Sequence, residues 1–261
     1  MNINLIFKKN QNDGGINKGG NKMVRIYELL VYVRLKKNVF LKNMAEEMSI
    51  AINHLLKYDD ELSAIHKNEK VNNYCYSLLN PSEKGNPNYE KGLEYFFSIR
   101  TIDREFANKI EDLLYDVENN LFETIRVTTQ RLNNDVITHI YSLTPITLIL
   151  GGDKPKCALT TDIDEEFLKQ RILKNTFKKY AEFVNKDFEP VDFIDRVEFI
   201  NDNNYPSSYK GGYIIGFKVR VFLKEDTYSQ EFARLLLGCG LLEKNSLSFG
   251  YCNYDFKQRR A

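Results

Sequence analysis

The order of apolar segments constrains the fold of this chain most strongly, because one order of strands and helices occurs twice. Between residues 25 and 132 the periodicity predicts strand, helix, strand, strand, helix and strand, with helices at 43–57 and 102–117. From residue 139 to 254 the order recurs, with helices at 164–185 and 227–237. A βαββαβ order defines one ferredoxin-like unit. The sequence therefore predicts an α+β protein of two tandem ferredoxin-like (RRM-like) βαββαβ domains.

The predicted domains are residues 23–134 and 135–261, and the second contains a glycine-rich loop. Residues 1–22 are rich in Asn, Gly and Lys, and their apolar run is too short for a signal-peptide core. We expect them to form a disordered N-terminal extension. Met23 is a candidate for the natural start.

Composition limits the function only mildly. With 37 Lys+Arg against 36 Asp+Glu, any nucleic-acid surface must be a local basic patch. The four cysteines show no CxxC spacing, which argues against a zinc site and favours reduced thiols in the cytoplasm. No apolar run reaches membrane-spanning length. We therefore expect a cytoplasmic protein with no membrane partner, no metal and no cofactor.

A glycine-rich segment lies near the C-terminus, at residues 238–250, and reads Gly-Cys-Gly-Leu-Leu-Glu-Lys-Asn-Ser-Leu-Ser-Phe-Gly. Gly238 and Gly240 allow positive φ and close approach of another molecule to the backbone. A cation, an amide and a hydroxyl follow them: Lys244, Asn245 and Ser246. This chemistry suits phosphates. The alternative is a simple helix cap that closes the second domain.

The wording of this segment resembles the C-terminal signature of the CRISPR-associated endoribonucleases that cut precursor CRISPR RNA within its repeats. Further blocks match in register, namely Tyr-Cys-Tyr-Ser-Leu at 74–78, Tyr-Ser-Leu-Thr-Pro-Ile at 141–146 and Lys-Gly-Gly at 210–212. The resemblance implies a tandem ferredoxin-like fold and metal-independent attack of a ribose 2′-hydroxyl on the adjacent phosphate. The products would be a 2′,3′-cyclic phosphate and a 5′-hydroxyl.

The resemblance assigns the catalytic histidine to His66, after the first predicted helix. Histidine suits proton transfer because its pKa lies near neutrality. Many relatives place a tyrosine on the first helix, but the matching positions here are Ala51 and Ile52. His54 on the same helix is the candidate substitute. Both histidines also fit structural roles, His66 in a surface loop and His54 on a helix face.

A lysine often follows the catalytic histidine in the family, and the matching position here is Asn72. Lys70 is the candidate replacement cation, and a solvated lysine is the alternative. These departures leave open a binder that does not cleave.

Basic residues outside this block are candidates for RNA contact, and each also fits a solvated turn. They are Arg34, Lys36 and Lys37 before the first helix, Lys154 and Lys156 in a Gly/Pro-rich turn, and Lys210 in a late hairpin. An RNP-type aromatic signature is absent from the sequence. Recognition of a hairpin or of a backbone path between the domains therefore fits better than stacking on a sheet face.

Three functions stay open from the sequence. The first is endoribonuclease cleavage of CRISPR repeat RNA, and the second is non-cleaving or weakly active binding of repeat RNA as a subunit of a CRISPR interference complex. The third is an unrelated tandem ferredoxin-like ligand sensor. The expected partner is CRISPR repeat RNA; other interference-complex subunits and a homodimer are compatible with the resemblance.

Overall fold

A computed structural model describes residues 23–67, 71–80, 87–133, 135–151, 153 and 155–257, with residues 65–67 described by their backbone alone. The predicted extension 1–22 lies outside this range. The strands are β1 (Tyr27–Leu35), β2 (Val39–Phe40), β3 (Tyr74–Tyr76), β4 (Asn88–Tyr89), β5 (Glu94–Thr101), β6 (Phe122–Arg131), β7 (Val136–Ser142), β8 (Ile149–Leu150), β9 (Lys156–Cys157), β10 (Ile194–Phe199), β11 (Tyr205–Tyr209), β12 (Gly212–Gly216), β13 (Val219–Leu223) and β14 (Cys252–Lys257). The helices are α1 (Leu41–Leu56), α2 (Asp60–Lys67), α3 (Arg104–Asp116), α4 (Glu165–Phe183) and α5 (Thr227–Cys239).

Two antiparallel four-stranded sheets form the framework. Their strand orders are β3-β5-β1-β6 and β10-β13-β7-β14. When the four strands of each sheet are numbered by their order in the chain, both sheets have the order 2-3-1-4. This is the ferredoxin-like arrangement. The prediction of two tandem ferredoxin-like units is confirmed, while the predicted domain limits, 23–134 and 135–261, stay a prediction.

Helices cover one face of each sheet and build two hydrophobic cores. In the first half, α1 and α3 pack against alternate residues of β1, among them Leu29, Val31 and Val33. In the second half, α4 and α5 bury Ile140, Val219 and their neighbours. The alternation of buried and partly exposed residues along β1 follows the two-residue period of a strand.

Four helices begin with an aspartate cap, as expected for a short acceptor beside free N–H groups, and Asp59 accepts from the Leu62 amide at the start of α2. Asp103 accepts hydrogen bonds from the Glu105 and Phe106 amides at the start of α3. Asp164 caps α4 and Asp226 caps α5 in the same way.

A buried polar cluster joins the two halves. The Arg100 guanidinium on β5 donates to Glu28 Oε1 at 2.7 Å and to the Cys252 carbonyl of β14 at 2.5 Å. Tyr251 donates its hydroxyl to the same Glu28 oxygen at 3.1 Å, and Gln130 donates to the other at 2.9 Å. Because Glu28 and Arg100 come from one half and Cys252 from the other, the cluster connects the two sheets.

Helix α5 also belongs to both halves, since it packs against β3 and β5 as well as against its own sheet. Gly238 permits this approach, because a Cβ there would lie 2.6 Å from Ile102 Cγ2. Each residue from Ser229 to Cys239 is accordingly buried.

The structure adds elements that the periodicity did not predict. Helix α2 contains His66, which the sequence placed after the first predicted helix and outside any predicted element. Residues 213–223, whose apolar residues predict a single strand, contribute to two strands, β12 and β13, of which β12 pairs with β11 in a separate hairpin. Within the described residues, no helix combines the length and the apolarity that crossing a membrane requires.

Candidate functional site

The glycine-rich segment leaves the C-terminus of α5 and ends before β14. Gly240 caps the helix with φ 80° and ψ 160°, a region open essentially to glycine alone. Three non-glycine residues of the segment also have positive φ, namely Leu242 (56°), Lys244 (60°) and Ser248 (64°). The segment is therefore held in a specific, strained conformation.

A buried lysine on α4 holds this segment from inside. The Lys179 ammonium donates to the carbonyl oxygens of Cys239, Gly240 and Leu242 at 3.3, 2.6 and 3.1 Å. It also donates to Asn245 Oδ1 at 2.7 Å. Lys179 is 1% exposed, and loss of hydration lowers its pKa to about 8. Four oxygen acceptors offset this burial and favour the ammonium at neutral pH.

Both the oxygen and the nitrogen of the Asn245 side chain form hydrogen bonds within the protein. Its amide group donates to the carbonyls of Leu241 and Phe249 at 3.2 and 3.0 Å, while its oxygen accepts from Lys179. Asn245 is 3% exposed. These contacts favour a bracing role for Asn245, Gly238 and Gly240, whereas Lys244 is exposed and Ser246 is partly exposed. The prediction that these five residues contact RNA is not tested.

A polar seam joins the segment to the first half. Tyr76 of β3 donates its hydroxyl to the Ser246 carbonyl at 2.7 Å, and Ser248 donates to the Tyr76 carbonyl at 3.0 Å. Helix α1 packs against residues 245–247 of the segment. Helix α1, β3 and the glycine-rich segment therefore meet at one place.

The β11–β12 hairpin packs beside this seam. The Lys210 amide at its tip donates to Glu46 Oε1 of α1 at 2.6 Å, and the Lys210 side chain is exposed. A small apolar cluster of Ile214, Leu247 and Phe249, with Cys157 against it, joins the hairpin, β9 and the segment. The elements that carry Lys156, Lys210 and Lys244 are thereby brought together.

His54 lies on another side of α1. Its ring Nε2 is 3.1 Å from the Glu118 carbonyl oxygen, and its ring meets Tyr58 edge-to-face with centroids 5.2 Å apart. It lines a cleft of about 370 Å³ with Lys37, Glu47, Ile50, Ala51 and residues 118–121. Within the described part of the chain, His54 therefore lies away from the glycine-rich segment.

The basic residues before α1 lie on this same side and have acidic or carbonyl partners. Arg34 pairs with Glu94 at 2.7 Å, and Lys37 pairs with Glu47 at 2.6 Å. The Lys36 ammonium donates to the Asn119 carbonyl at 3.0 Å. RNA would have to compete with these acceptors.

The remaining candidates are only partly described. His66 lies in the last turn of α2, and its side chain is outside the described residues. Lys70 and Lys154 lie outside them altogether. Lys156 is exposed and pairs with Asp162 at 3.2 Å. Among the described side chains, no three His, Cys, Asp or Glu come together in a way that could hold a metal ion.

Two features were missed in the sequence. Lys179 shares the buried face of α4 with Leu168, Ile172 and Thr176, and a lysine at that helical spacing was the available signal.

Arginines also lie over aromatic rings on the two sheets. Arg126 stands 4.3 Å from the Tyr32 ring centroid, and Arg196 stands 3.5 Å from that of Phe222. These pairs come from neighbouring strands, so no contiguous motif could reveal them.

Comparison with known proteins gives a consistent result. Residues 128–254 match the family model described as CRISPR associated protein Cas6, C-terminal. A protein of Methanocaldococcus jannaschii named CRISPR-associated endoribonuclease Cas6 2 is 29% identical over 217 residues, which cover 76% of this chain and 87% of that protein.

Solved structures share the fold at lower identity. A Cas6-related protein from Pyrococcus furiosus superposes with a TM-score of 0.68 at 19% identity, covering 90% of this chain and 100% of the other. A structure described as an RAMP protein binding different RNA substrates gives 0.66 at 16% identity, covering 88% and 99%.

Proposed function

The chain belongs to the Cas6 family of CRISPR-associated proteins, and on that premise we propose that it is an endoribonuclease that processes precursor CRISPR RNA by cutting within the repeats. The observation that carries the proposal is the alignment with the archaeal endoribonuclease across most of both chains. The glycine-rich segment, which carries the wording typical of the family, lies within the matched C-terminal region.

The proposed reaction is an internal transesterification that needs no divalent metal. The ribose 2′-oxygen attacks the adjacent phosphorus, and the bond from phosphorus to the 5′-oxygen breaks. A base takes the 2′ proton, and an acid protonates the leaving 5′-oxygen. The products are a 2′,3′-cyclic phosphate and a 5′-hydroxyl. Because the nucleophile belongs to the substrate, no metal-activated water is required.

His66 is the proposed proton-transfer residue, with Lys70 as the nearby cation that stabilises charge on the phosphorane. The sequence resemblance at His66 and the position of His66 in α2, next to α1, support this role. His54 is the weaker candidate, because its ring faces the Glu118 carbonyl in a separate cleft.

For RNA binding we propose the surface formed by the seam and the β11–β12 hairpin. Lys210 and Lys244 are exposed there, and Ser246, whose carbonyl accepts from Tyr76, is partly exposed. Lysines contact the phosphate backbone as point charges, so this surface would hold the RNA without reading its sequence. Arg34, Lys36, Lys37, Lys154 and Lys156 are proposed as additional backbone contacts.

A cleavage assay with end-labelled repeat RNA tests the proposal. We expect equal rates in EDTA and in magnesium, and products whose 3′ ends resist ligation until the cyclic phosphate is opened and the remaining phosphate is removed. Activity that disappears in EDTA and returns with magnesium or manganese would contradict the proposed chemistry. A mobility shift without cleavage would contradict the enzyme assignment while retaining RNA binding.

A further inference from the structure

We infer that Lys179 is a positioning residue for the RNA site: its ammonium fixes the glycine-rich segment so that Lys244 and Ser246 face the RNA. The inference rests on the proposed function, since it concerns the same site. Lys179 itself is buried and contacts no substrate, so it acts through the segment.

The first support is the arrangement of the four acceptor oxygens around the Lys179 ammonium. Carbonyls from the end of α5 and from both sides of the first turn of the segment converge on one nitrogen, together with the Asn245 amide. Cys239, Gly240, Leu242 and Asn245 are therefore tied to a common point. An ammonium has three N–H donors in fixed tetrahedral directions, which restricts where these oxygens can lie.

The strain in the segment is the second support. Leu242, Lys244 and Ser248 hold φ values between 56° and 64°, which cost non-glycine residues free energy. Such conformations persist only where the surroundings over-determine them. Lys179 donates to the carbonyls of Gly240 and Leu242 and to the side chain of Asn245. Asn245 is the chain neighbour of Lys244.

The cost of burying a charge is the third support. A buried cation is often no more stabilising than an apolar residue of similar size, so stability alone is a weak reason for a lysine there. Cys75, Cys239, Cys252 and Glu243 are the groups whose charge acts on Lys179, and burial raises the pKa of all three thiols. The thiols are thus neutral at pH 7, and the compensating interactions come mainly from the four oxygens.

The connection to the exposed residues is short. Lys244 and Ser246 flank Asn245 in the chain, and the Ser246 carbonyl accepts the Tyr76 hydroxyl. A shift of Asn245 must therefore move the Lys244 side chain relative to α1 and β3.

The test compares Lys179→Met with Leu168→Ala, which removes apolar volume from the same helix about 16 Å away along its axis. Affinity for repeat RNA is measured against salt concentration, at a temperature where circular dichroism shows both variants folded. We expect Lys179→Met to weaken binding at least fivefold and to flatten the salt dependence by about one counterion. Leu168→Ala should leave both quantities within twofold of wild type.

A double-mutant cycle makes the test specific. If Lys179 acts through Lys244, then Lys244→Ala should weaken binding in wild type and add almost nothing in the Lys179→Met background. Additive effects, or equal behaviour of Lys179→Met and Leu168→Ala, would overturn the inference. Should Lys179→Met fail to fold, Lys179→Gln keeps two amide donors and is expected to show the same non-additivity at smaller size.

The outcomes separate this inference from the proposed function. If wild type does not bind repeat RNA, both are wrong. If wild type binds and cleaves repeat RNA while the cycle is additive, the positioning role alone is wrong.

Discussion

His66 is the residue on which the proposed chemistry depends most. His66→Ala should lower the cleavage rate by roughly two to four orders of magnitude, because a positioned acid–base residue contributes that much. RNA affinity should change little, since the lysines proposed to hold the RNA backbone remain. Single-turnover cleavage and a binding assay measure the two effects separately.

His139 provides the matched control for this prediction. It lies on β7, pairs with Asp255 at 2.9 Å, and stacks near Phe222, so His139→Ala removes a histidine elsewhere in the molecule. Cleavage by His66→Ala within a few fold of wild type would move the assignment to His54.

Lys179 makes the unfolding free energy of the protein depend on pH in the alkaline range. Burial lowers its pKa in the native state to about 8, from an ordinary value of 10.5, so the native state releases the proton first. Its contribution to stability is complete above pH 10.5 and is lost as the pH falls through 8. The unfolding free energy of wild type relative to Lys179→Met should therefore rise between these limits, by at most about 1.4 kcal/mol per pH unit.

Urea unfolding of both proteins from pH 7 to pH 10 measures this difference, and titrating groups that the two share largely cancel. A constant or shrinking difference would mean that the four oxygens hold the ammonium charged throughout.

At the scale of elements, the turn after α5 depends on the absence of a side chain at Gly240. A Cβ there would lie 2.5 Å from Asn245 Nδ2 and 3.0 Å from Cys75 Cβ, in addition to the backbone strain. Gly240→Ala should therefore cost several kcal/mol of stability, and Gly240→Val more, because overpacking adds to the strained φ.

Substitution of Gly211 separates the cost of backbone strain from the cost of overpacking. Gly211 has φ 76°, and a Cβ there would meet nothing within 4 Å. Gly211→Ala should cost about 1–2 kcal/mol from backbone strain alone. Equal midpoints of urea unfolding for the two alanine variants would show that the close contacts at Gly240 relax without cost.

The periodicity of the chain predicted the principal strands and four of the helices, because each has an apolar face at the period of its structure. It merged β12 and β13 into one strand, because Gly216 and Phe217 continue the apolar run. The strand is interrupted there because Phe217 pairs with Ile146, a residue distant in sequence. Gly216 permits this close approach, since a Cβ there would lie 2.5 Å from the Ile146 carbonyl oxygen. Helix α2 was missed because it is short, although Asp59 accepts a hydrogen bond from the Leu62 amide at its start.

The candidate site was less predictable than the fold. The glycine-rich sequence identified the segment and offered Asn245 as an amide for phosphate binding. Its burial follows from Lys179, which lies 66 residues earlier in the chain. Motifs report neighbours in sequence, whereas this site is assembled from α1, β3, α4 and the segment.

For the whole molecule, the connection between the two sheets depends on the cluster around Arg100. Arg100→Met should destabilise the protein by about 3–5 kcal/mol, because it leaves Glu28 buried without its cation. Arg100→Met with Glu28→Gln should be less destabilised than the single variant, since no buried charge then remains. Thermal unfolding at pH 7 compares them, and a double variant that is less stable than Arg100→Met would contradict this account.

The same cluster predicts sensitivity to acid. Burial raises the pKa of Glu28, but Arg100 and the hydrogen bonds from Gln130 and Tyr251 outweigh it, so the pKa lies below its ordinary value of 4.5. The stabilisation is present above pH 4.5 and is lost as the pH falls through the lowered pKa. Glu28→Gln should remove this part of the acid transition.

Because α5 completes the core of both halves, the order of synthesis matters for how the protein folds. Ile102 and Cys75 emerge from the ribosome early, yet they contact Gly238, which is made near the end of the chain. At about 5–20 residues per second, the first half spends on the order of ten seconds without the helix that covers this edge. During that interval the nascent first half exposes apolar surface, and it completes its packing only after α5 has been made.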